Sequence, residues 1–201
     1  MKKLLFTFSF FIFSLSLIVS CGNHSNSQSQ GIQKKDNYDF DAANYKYNTQ
    51  KELVTAFINT LAAHDTAGTQ QYLITKEVIS YAATLIDKQD TIPVEKKVAQ
   101  ATDELNHKMK AVWGHTIGNL VKMMNDDNVD LASSTITIDT MASEPFKGCN
   151  AILHSSAVVR ILTKDQQYHK LNVYSLLRIK GKWFILGPKW DWDGKSVHNR
   201  N

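Results

Sequence analysis

The spacing of apolar residues predicts three helices in the first half of the folded region. Thr49 and Glu52 fit a capping box, and apolar residues then recur at helical spacing, so a first helix is expected over 49–64. A second apolar stripe predicts a helix over 76–87. The longest stripe follows Pro93, a residue that a helix tolerates at its start, and predicts one long helix over 94–124.

The pattern then changes to alternating, β-branched positions. Four strands are expected, over 133–141, 150–163, 168–180 and 182–192. The short connections at 164–167 and 180–181 predict antiparallel hairpins between the last three strands. The chain is therefore predicted to be an α+β domain over 49–193, with its helices packed on a curved antiparallel sheet.

Pairing Lys164 with Gln167 and Ile179 with Lys182 sets a strand register, and that register separates two sheet faces. One face, expected to lie under the helices, would carry Ile152, Val158, Leu162, Leu171, Val173, Leu177, Ile179, Phe184, Leu186, Trp190 and Trp192. The opposite face also carries apolar residues, Val159 and Ile161 among them. Partial cover of that face, or a homodimer formed through it, is expected.

The N-terminus has the pattern of a secretory signal over 1–20, a positive start followed by an apolar run. That run, 4–19, is shorter than the roughly 20 residues that a spanning helix needs. Ile18-Val19-Ser20-Cys21 resembles the lipobox of bacterial lipoproteins, which implies a mature chain that begins at a lipidated Cys21 and is anchored to a membrane. With Gly22 rather than Asp after the cysteine, the resemblance favours the outer membrane of the cell envelope.

Composition changes this picture little. The net charge of +4 includes two signal-region lysines, so the mature chain carries 21 − 19 = +2. Its lysines are dispersed, and nucleic acid is not an expected partner. Residues 21–48 are rich in Ser, Asn and Gln and are predicted to be a flexible tether, although aromatic residues near the end could dock on the domain. With Cys21 lipidated, Cys149 is the one remaining thiol. Residues 194–201 are expected to be a tail.

The order of helices and strands resembles the nuclear transport factor 2-like superfamily of α+β cones. The resemblance lies in the segment 52–57, the pair Tyr72-Leu73 and the Leu-Leu-Arg-Ile-Lys-Gly-Lys-Trp-Phe-Ile-Leu run over 176–186. It implies a concave sheet face with a ligand site between sheet and helices. Because that superfamily includes isomerases, dehydratases and binding domains, the resemblance leaves the activity open.

Polar residues on the concave face are the candidates for a site. The predicted register places there His154, Ser156, Arg160, His169 and Ser175. Of these, His154, Ser156 and Ser175 form a candidate pocket with Trp192, and each could equally be a hydrogen-bonded structural residue.

Two alternatives use other residues. An enzyme would need a general base beside a donor, and the available residues are Asp103, His107, His115, Tyr72 and Tyr81. The run Trp190-Asp191-Trp192-Asp193-Gly194 could stack on sugars or offer carboxylates to calcium, although packing is the ordinary role of such tryptophans.

The sequence therefore predicts a non-catalytic envelope lipoprotein that binds an apolar small molecule or an envelope protein. The alternative is a periplasmic isomerase- or hydrolase-like enzyme with a site in the cone. Neither a cofactor nor a metal is expected.

Overall fold

A computed structural model describes residues 38–86, 92–147 and 149–197. The predicted signal, Cys21 and the tether up to residue 37 lie outside the described residues. The helices are α1 (Gln50–Ala62), α2 (Lys76–Leu85), α3 (Val94–Glu104) and α4 (Ala111–Asp126), and a π-helical segment, Leu105–Lys110, joins the last two. Across the described ranges, no helix has the length and apolar character needed to cross a membrane.

The first two helices confirm the predictions. The Thr49 hydroxyl accepts a hydrogen bond from the backbone N–H of Glu52 at 3.1 Å, and the Glu52 carboxylate accepts one from the Thr49 N–H, also at 3.1 Å. This reciprocal pair satisfies backbone donors that the first turn of a helix leaves without partners. At α2 the Thr75 hydroxyl supplies the cap by accepting a hydrogen bond from the backbone N–H of Val78.

The predicted long helix is present but irregular in its middle. Between the end of α3 and the start of α4, the segment Leu105–Lys110 has the i→i+5 hydrogen bonds of a π-helix. Gly114 and Gly118 of α4 make no close packing contact among the described residues, because a Cβ added at either glycine would meet nothing within 4 Å.

The sheet has seven strands rather than the four predicted. They are β1 (Thr135–Thr140), β2 (Glu144–Phe146), β3 (Cys149–Leu162), β4 (Tyr168–Ile179), β5 (Lys182–Ile185), β6 (Trp190–Trp192) and β7 (Lys195–Ser196). All pair antiparallel in the order β1-β3-β4-β6-β7, with β2 on β3 and β5 on β4.

Two short strands and one break account for the difference. The predicted strand over 182–192 is interrupted at Gly187-Pro188, where proline offers no N–H to a ladder, and becomes β5 and β6. The predicted tail begins with β7, and Val197 beyond it is fully buried. The chain is therefore folded through residue 197, beyond the expected boundary at 193.

The register prediction is half right. Ile179 pairs with Lys182 as expected, through a tight turn in which Lys180 and Gly181 both have positive φ. At the other hairpin the prediction is wrong, because Leu162 pairs with Tyr168 and the turn includes Gln166 at φ 62°.

This one-residue slip exchanges the faces of part of β3. Val159 lies opposite Leu171, and Ile161 lies opposite His169; both β3 side chains are fully buried. The predicted core positions Val158 and Leu162 point to the other face. An irregularity between Ser155 and Ala157 then restores the predicted pairing of Ile152 with Ile179.

The described end of the predicted tether, residues 38–48, packs on the domain, and we call it the strap. Phe40 is 7% exposed and makes edge contacts with Tyr45, Tyr81 and Phe184. The Lys180 ammonium holds the strap by contacting the Asp39 carboxylate and the Phe40 carbonyl. Within residues 38–48, therefore, the aromatic residues dock on the domain rather than forming a free tether.

Candidate functional site

The structure does not bring the four predicted pocket residues together, because His154 and Trp192 lie at different places along the sheet. His154 pairs with Leu177 on β4, whereas Trp192 pairs with Leu171. Six residues of strand separate these two positions, roughly 20 Å. The His154 side chain is 45% exposed and lies 3.7 Å from the Glu144 carboxylate at the sheet edge.

The two predicted pocket serines have backbone roles at the strand irregularity. The Ser156 carbonyl accepts a hydrogen bond from the Met141 N–H at 3.0 Å, and the Ser175 carbonyl accepts one from the Leu186 N–H at 2.8 Å. Both residues are half-buried. Neither lies beside Trp192, which is 1% exposed and packs in the core.

Aromatic side chains fill the space between the helices and the sheet. Trp190 is fully buried, and its ring lies 5.3 Å from that of Phe57 and 5.2 Å from that of Trp113. The Trp113 indole N–H donates to the Thr69 hydroxyl at 3.0 Å. These rings occupy the part of the domain in which a cone would hold a ligand.

The residues proposed for an enzyme are dispersed. Asp103 and His107 lie 3.4 Å apart on the exposed face of the long helix, with both side chains more than 70% exposed. His115 contacts the Asn119 side chain, and Tyr72 is buried with its hydroxyl 2.6 Å from Thr60. Tyr81 lies under the Lys180 ammonium beside the strap. Apart from the exposed Asp103–His107 pair, the described residues thus bring none of these side chains together.

The structure does assemble a cluster that sequence reasoning missed, at the C-terminal end of α4. Asp127 caps α4, His169 lies at the start of β4, and Asp193 follows Trp192 in the turn between β6 and β7. The His169 Nδ1 atom is 2.8 Å from an Asp193 carboxylate oxygen. The His169 ring stacks on the Trp192 indole at 5.5 Å and 13°.

This cluster contains an imidazole–carboxylate pair but lacks the access that a catalytic base needs. His169 is 9% exposed, and its Nε2 atom is buried without a partner among the described residues. A general base must reach its substrate with that atom. The geometry therefore suits a structural or ligand-binding role better than proton transfer to a substrate.

The second feature is an open cleft of about 610 Å³ between α2, α3 and the start of the strap. Carboxylates line its rim, and Val98 lies in its wall. The acidic rim residues are Asp39, Glu77, Glu95 and Asp103, against one lysine, Lys76. A cleft with this excess of negative charge favours a cationic ligand.

Two of these carboxylates are held in their ionised form. The pKa of Asp39 lies below its ordinary value, chiefly because of its hydrogen bond to the Lys180 ammonium. The pKa of Glu77 is lowered by hydrogen bonds to its own backbone N–H and to Thr75 at the start of α2. Both therefore carry negative charge at neutral pH.

Comparison of the chain with protein-family models, curated proteins and solved structures found no match. Of the cluster residues, Asp193 is indicated by the sequence, because it lies in the Trp190–Gly194 run that could offer carboxylates to calcium. Asp127 has no such signal, since it lies in an Asn- and Asp-rich segment whose composition is typical of a turn.

Proposed function

We propose that the protein is a lipid-anchored envelope protein whose nuclear transport factor 2-like domain binds a partner protein without catalysing a reaction. The lipobox ending at Cys21 supports the anchor. The α+β architecture with an antiparallel sheet and a long helix is compatible with the proposed superfamily. The filled interior carries the functional part of the proposal, because it leaves binding to the surface.

The occupant that the cleft fits best is a basic, extended segment of an envelope protein. Its rim offers four carboxylates, of which Asp39 already contacts Lys180 and Asp103 lies near His107. Glu77 and Glu95 are then the residues available to lysine or arginine side chains. The wall at Val98 and Ala99 would contact the aliphatic parts of those side chains.

A second copy of the chain is a weaker candidate for the partner. Two apolar residues of β5, Trp183 and Ile185, are only 6% and 0% exposed. At the edge of β5, the Trp183 N–H donates to the Tyr47 carbonyl of the strap at 2.9 Å, and the Ile74 N–H donates to the Ile185 carbonyl at 2.8 Å. Because its side chains are buried and its edge is paired within the chain, β5 offers little surface to a second copy.

The anchor is tested by Cys21→Ala. We expect the native chain to incorporate labelled palmitate and to fractionate with outer membranes, and the variant to lose both properties. Unchanged labelling and fractionation of Cys21→Ala would refute the lipid anchor. That result would not bear on the proposed binding role of the domain, which has its own test.

The binding role is tested separately, by a photo-crosslinking amino acid placed at Ala99 in living cells. We expect one discrete protein adduct, which Glu95→Lys in the same chain abolishes and Glu104→Lys on the same helix leaves intact. A crosslinker at Gln166, in an exposed turn, serves as the positional control. No adduct at Ala99, or an adduct insensitive to Glu95→Lys, contradicts the cleft. A stoichiometric apolar molecule found in native mass spectra would contradict the filled interior.

A further inference from the structure

We propose that Asp127, His169 and Asp193 form a binding site for a divalent transition-metal ion of the Zn²⁺ class. One carboxylate oxygen from each aspartate and one ring nitrogen of the histidine lie within 4.8 Å of one another. The three residues come from the end of α4, the start of β4 and the β6–β7 turn. The site goes beyond the proposed binding function, and the two are independent.

Each candidate ligand is already positioned by a second contact. The Trp192 indole N–H donates to Asp127 Oδ2 at 2.6 Å, which leaves Oδ1 available. The backbone N–H of Lys170 donates to Asp193 Oδ1 at 2.6 Å, which leaves Oδ2 directed at the imidazole. His169 is fixed by stacking on Trp192. Such outer contacts orient metal ligands and raise affinity.

The imidazole can offer this cluster only one of its two nitrogens. Nδ1 faces the Asp193 carboxylate at 2.8 Å and is therefore the candidate ligand atom. Nε2 lies on the ring edge away from Asp193 and has no hydrogen-bond partner within the ranges that the structure describes. Two carboxylates beside one imidazole give the cluster a formal excess of negative charge, which favours a cation.

The donor set favours a particular class of ion. One imidazole nitrogen with two carboxylates and no thiolate suits Zn²⁺ or Mn²⁺, whereas Ca²⁺ takes six to eight oxygen ligands. Ligands of one Zn²⁺ lie roughly 3.4 Å apart, given bond lengths of about 2.1 Å. His169 Nδ1 and Asp193 Oδ2, now 2.8 Å apart, would therefore separate by about half an ångström, and the widest gap in the cluster, at most 4.8 Å, would close by up to about 1.4 Å. The Asp193 side chain is 33% exposed and has room to move. Three protein ligands leave a fourth position for water.

The test uses the full chain, stripped with a chelator and dialysed against Zn²⁺. We expect one Zn²⁺ per chain by elemental mass spectrometry, and a dissociation constant by titration calorimetry that rises at least tenfold in Asp127→Asn and in Asp193→Asn. Asparagine at 127 retains an acceptor for the Trp192 N–H, so this variant keeps the local packing. Far-UV circular dichroism checks the fold of each variant.

Asp126→Asn, a neighbouring exposed carboxylate outside the cluster, is the matched control and should bind Zn²⁺ as the native chain does. The proposal is overturned if the native chain retains no stoichiometric Zn²⁺. It is equally overturned if all three variants bind alike, since the ion would then sit on scattered surface carboxylates. Tighter binding of Ca²⁺ than of Zn²⁺ would refute the assigned class of ion.

Discussion

Two core tryptophans allow a matched test of how this interior is stabilised. Trp113 and Trp190 are 2% and 0% exposed, and their rings pack against each other and against Phe57. They differ at the indole nitrogen. The Trp113 N–H donates to the Thr69 hydroxyl, whereas the Trp190 N–H is buried without a partner among the described residues. We therefore expect Trp113→Phe to destabilise the protein more than Trp190→Phe.

The size of the difference follows from the two nitrogens, because the loss of ring volume is the same in both variants. Trp113→Phe gives up a hydrogen bond with a net value of about 0.5–1.5 kcal/mol. Trp190→Phe removes a buried unpaired donor and so recovers about 1–3 kcal/mol of desolvation penalty. The free energy of unfolding of Trp190→Phe should therefore exceed that of Trp113→Phe by at least about 1.5 kcal/mol.

Urea unfolding followed by far-UV circular dichroism measures both free energies with the same probe. In thermal melts the difference corresponds to at least about 3 °C, at roughly 2–4 °C per kcal/mol for a domain of this size. Equal losses, or a larger loss in Trp190→Phe, would refute the reasoning. That result would mean that the Trp190 N–H is satisfied, for example by the π face of the Trp113 ring.

Three further predictions concern the surface. Thr49→Ala should lower the free energy of unfolding by about 1 kcal/mol in urea titrations, because it removes half of the capping box of α1, whereas Thr55→Ala on the exposed face should have little effect. Lys180→Met should speed hydrogen exchange in the strap, because it removes the ammonium that contacts the Asp39 carboxylate. In the native chain this contact should be fully present above pH 3.8, the ordinary pKa of Asp39, and be lost as the pH falls through the lowered pKa of Asp39. The pKa of Tyr174 is raised because its hydroxyl donates a hydrogen bond to the Asp191 carboxylate. The stability that this hydrogen bond contributes should be fully present below pH 10.0 and be lost as the pH rises through the raised pKa, and ultraviolet titration of the phenol checks the direction of the shift.

Local chemistry explains which parts of the fold the sequence could predict. The capping box at Thr49, the proline before α3 and the Lys180–Gly181 turn each act over a few residues, and the structure has all three. The short strands β2 and β7 lacked such a signal. Strands of three and two residues are too short to show an alternating pattern, and they form because a longer neighbour offers free backbone groups.

The candidate sites required information that no local pattern holds. Asp127 and His169 are separated by a whole hairpin in sequence, and they meet only because β4 begins where α4 ends. Predicting that encounter needs the packing of the helix on the sheet. His154 and Trp192 were placed together on the strength of a common sheet face, but a face is long, and sharing it does not imply contact.

The register error shows how one turn residue changes the interpretation of a whole strand. The connection after β3 reads from sequence as a tight hairpin with Lys164 opposite Gln167, yet Gln166 adopts a positive φ and the pairing moves by one residue. Because side chains alternate with a period of two, this shift moves Ile161 into the core and brings it opposite His169. The predicted register would have placed Lys170 opposite Ile161. It already put His169 on the same face as Leu171 and Trp192, so the slip changes which β3 residue lies opposite His169 and leaves the contact between His169 and Asp193 unaffected.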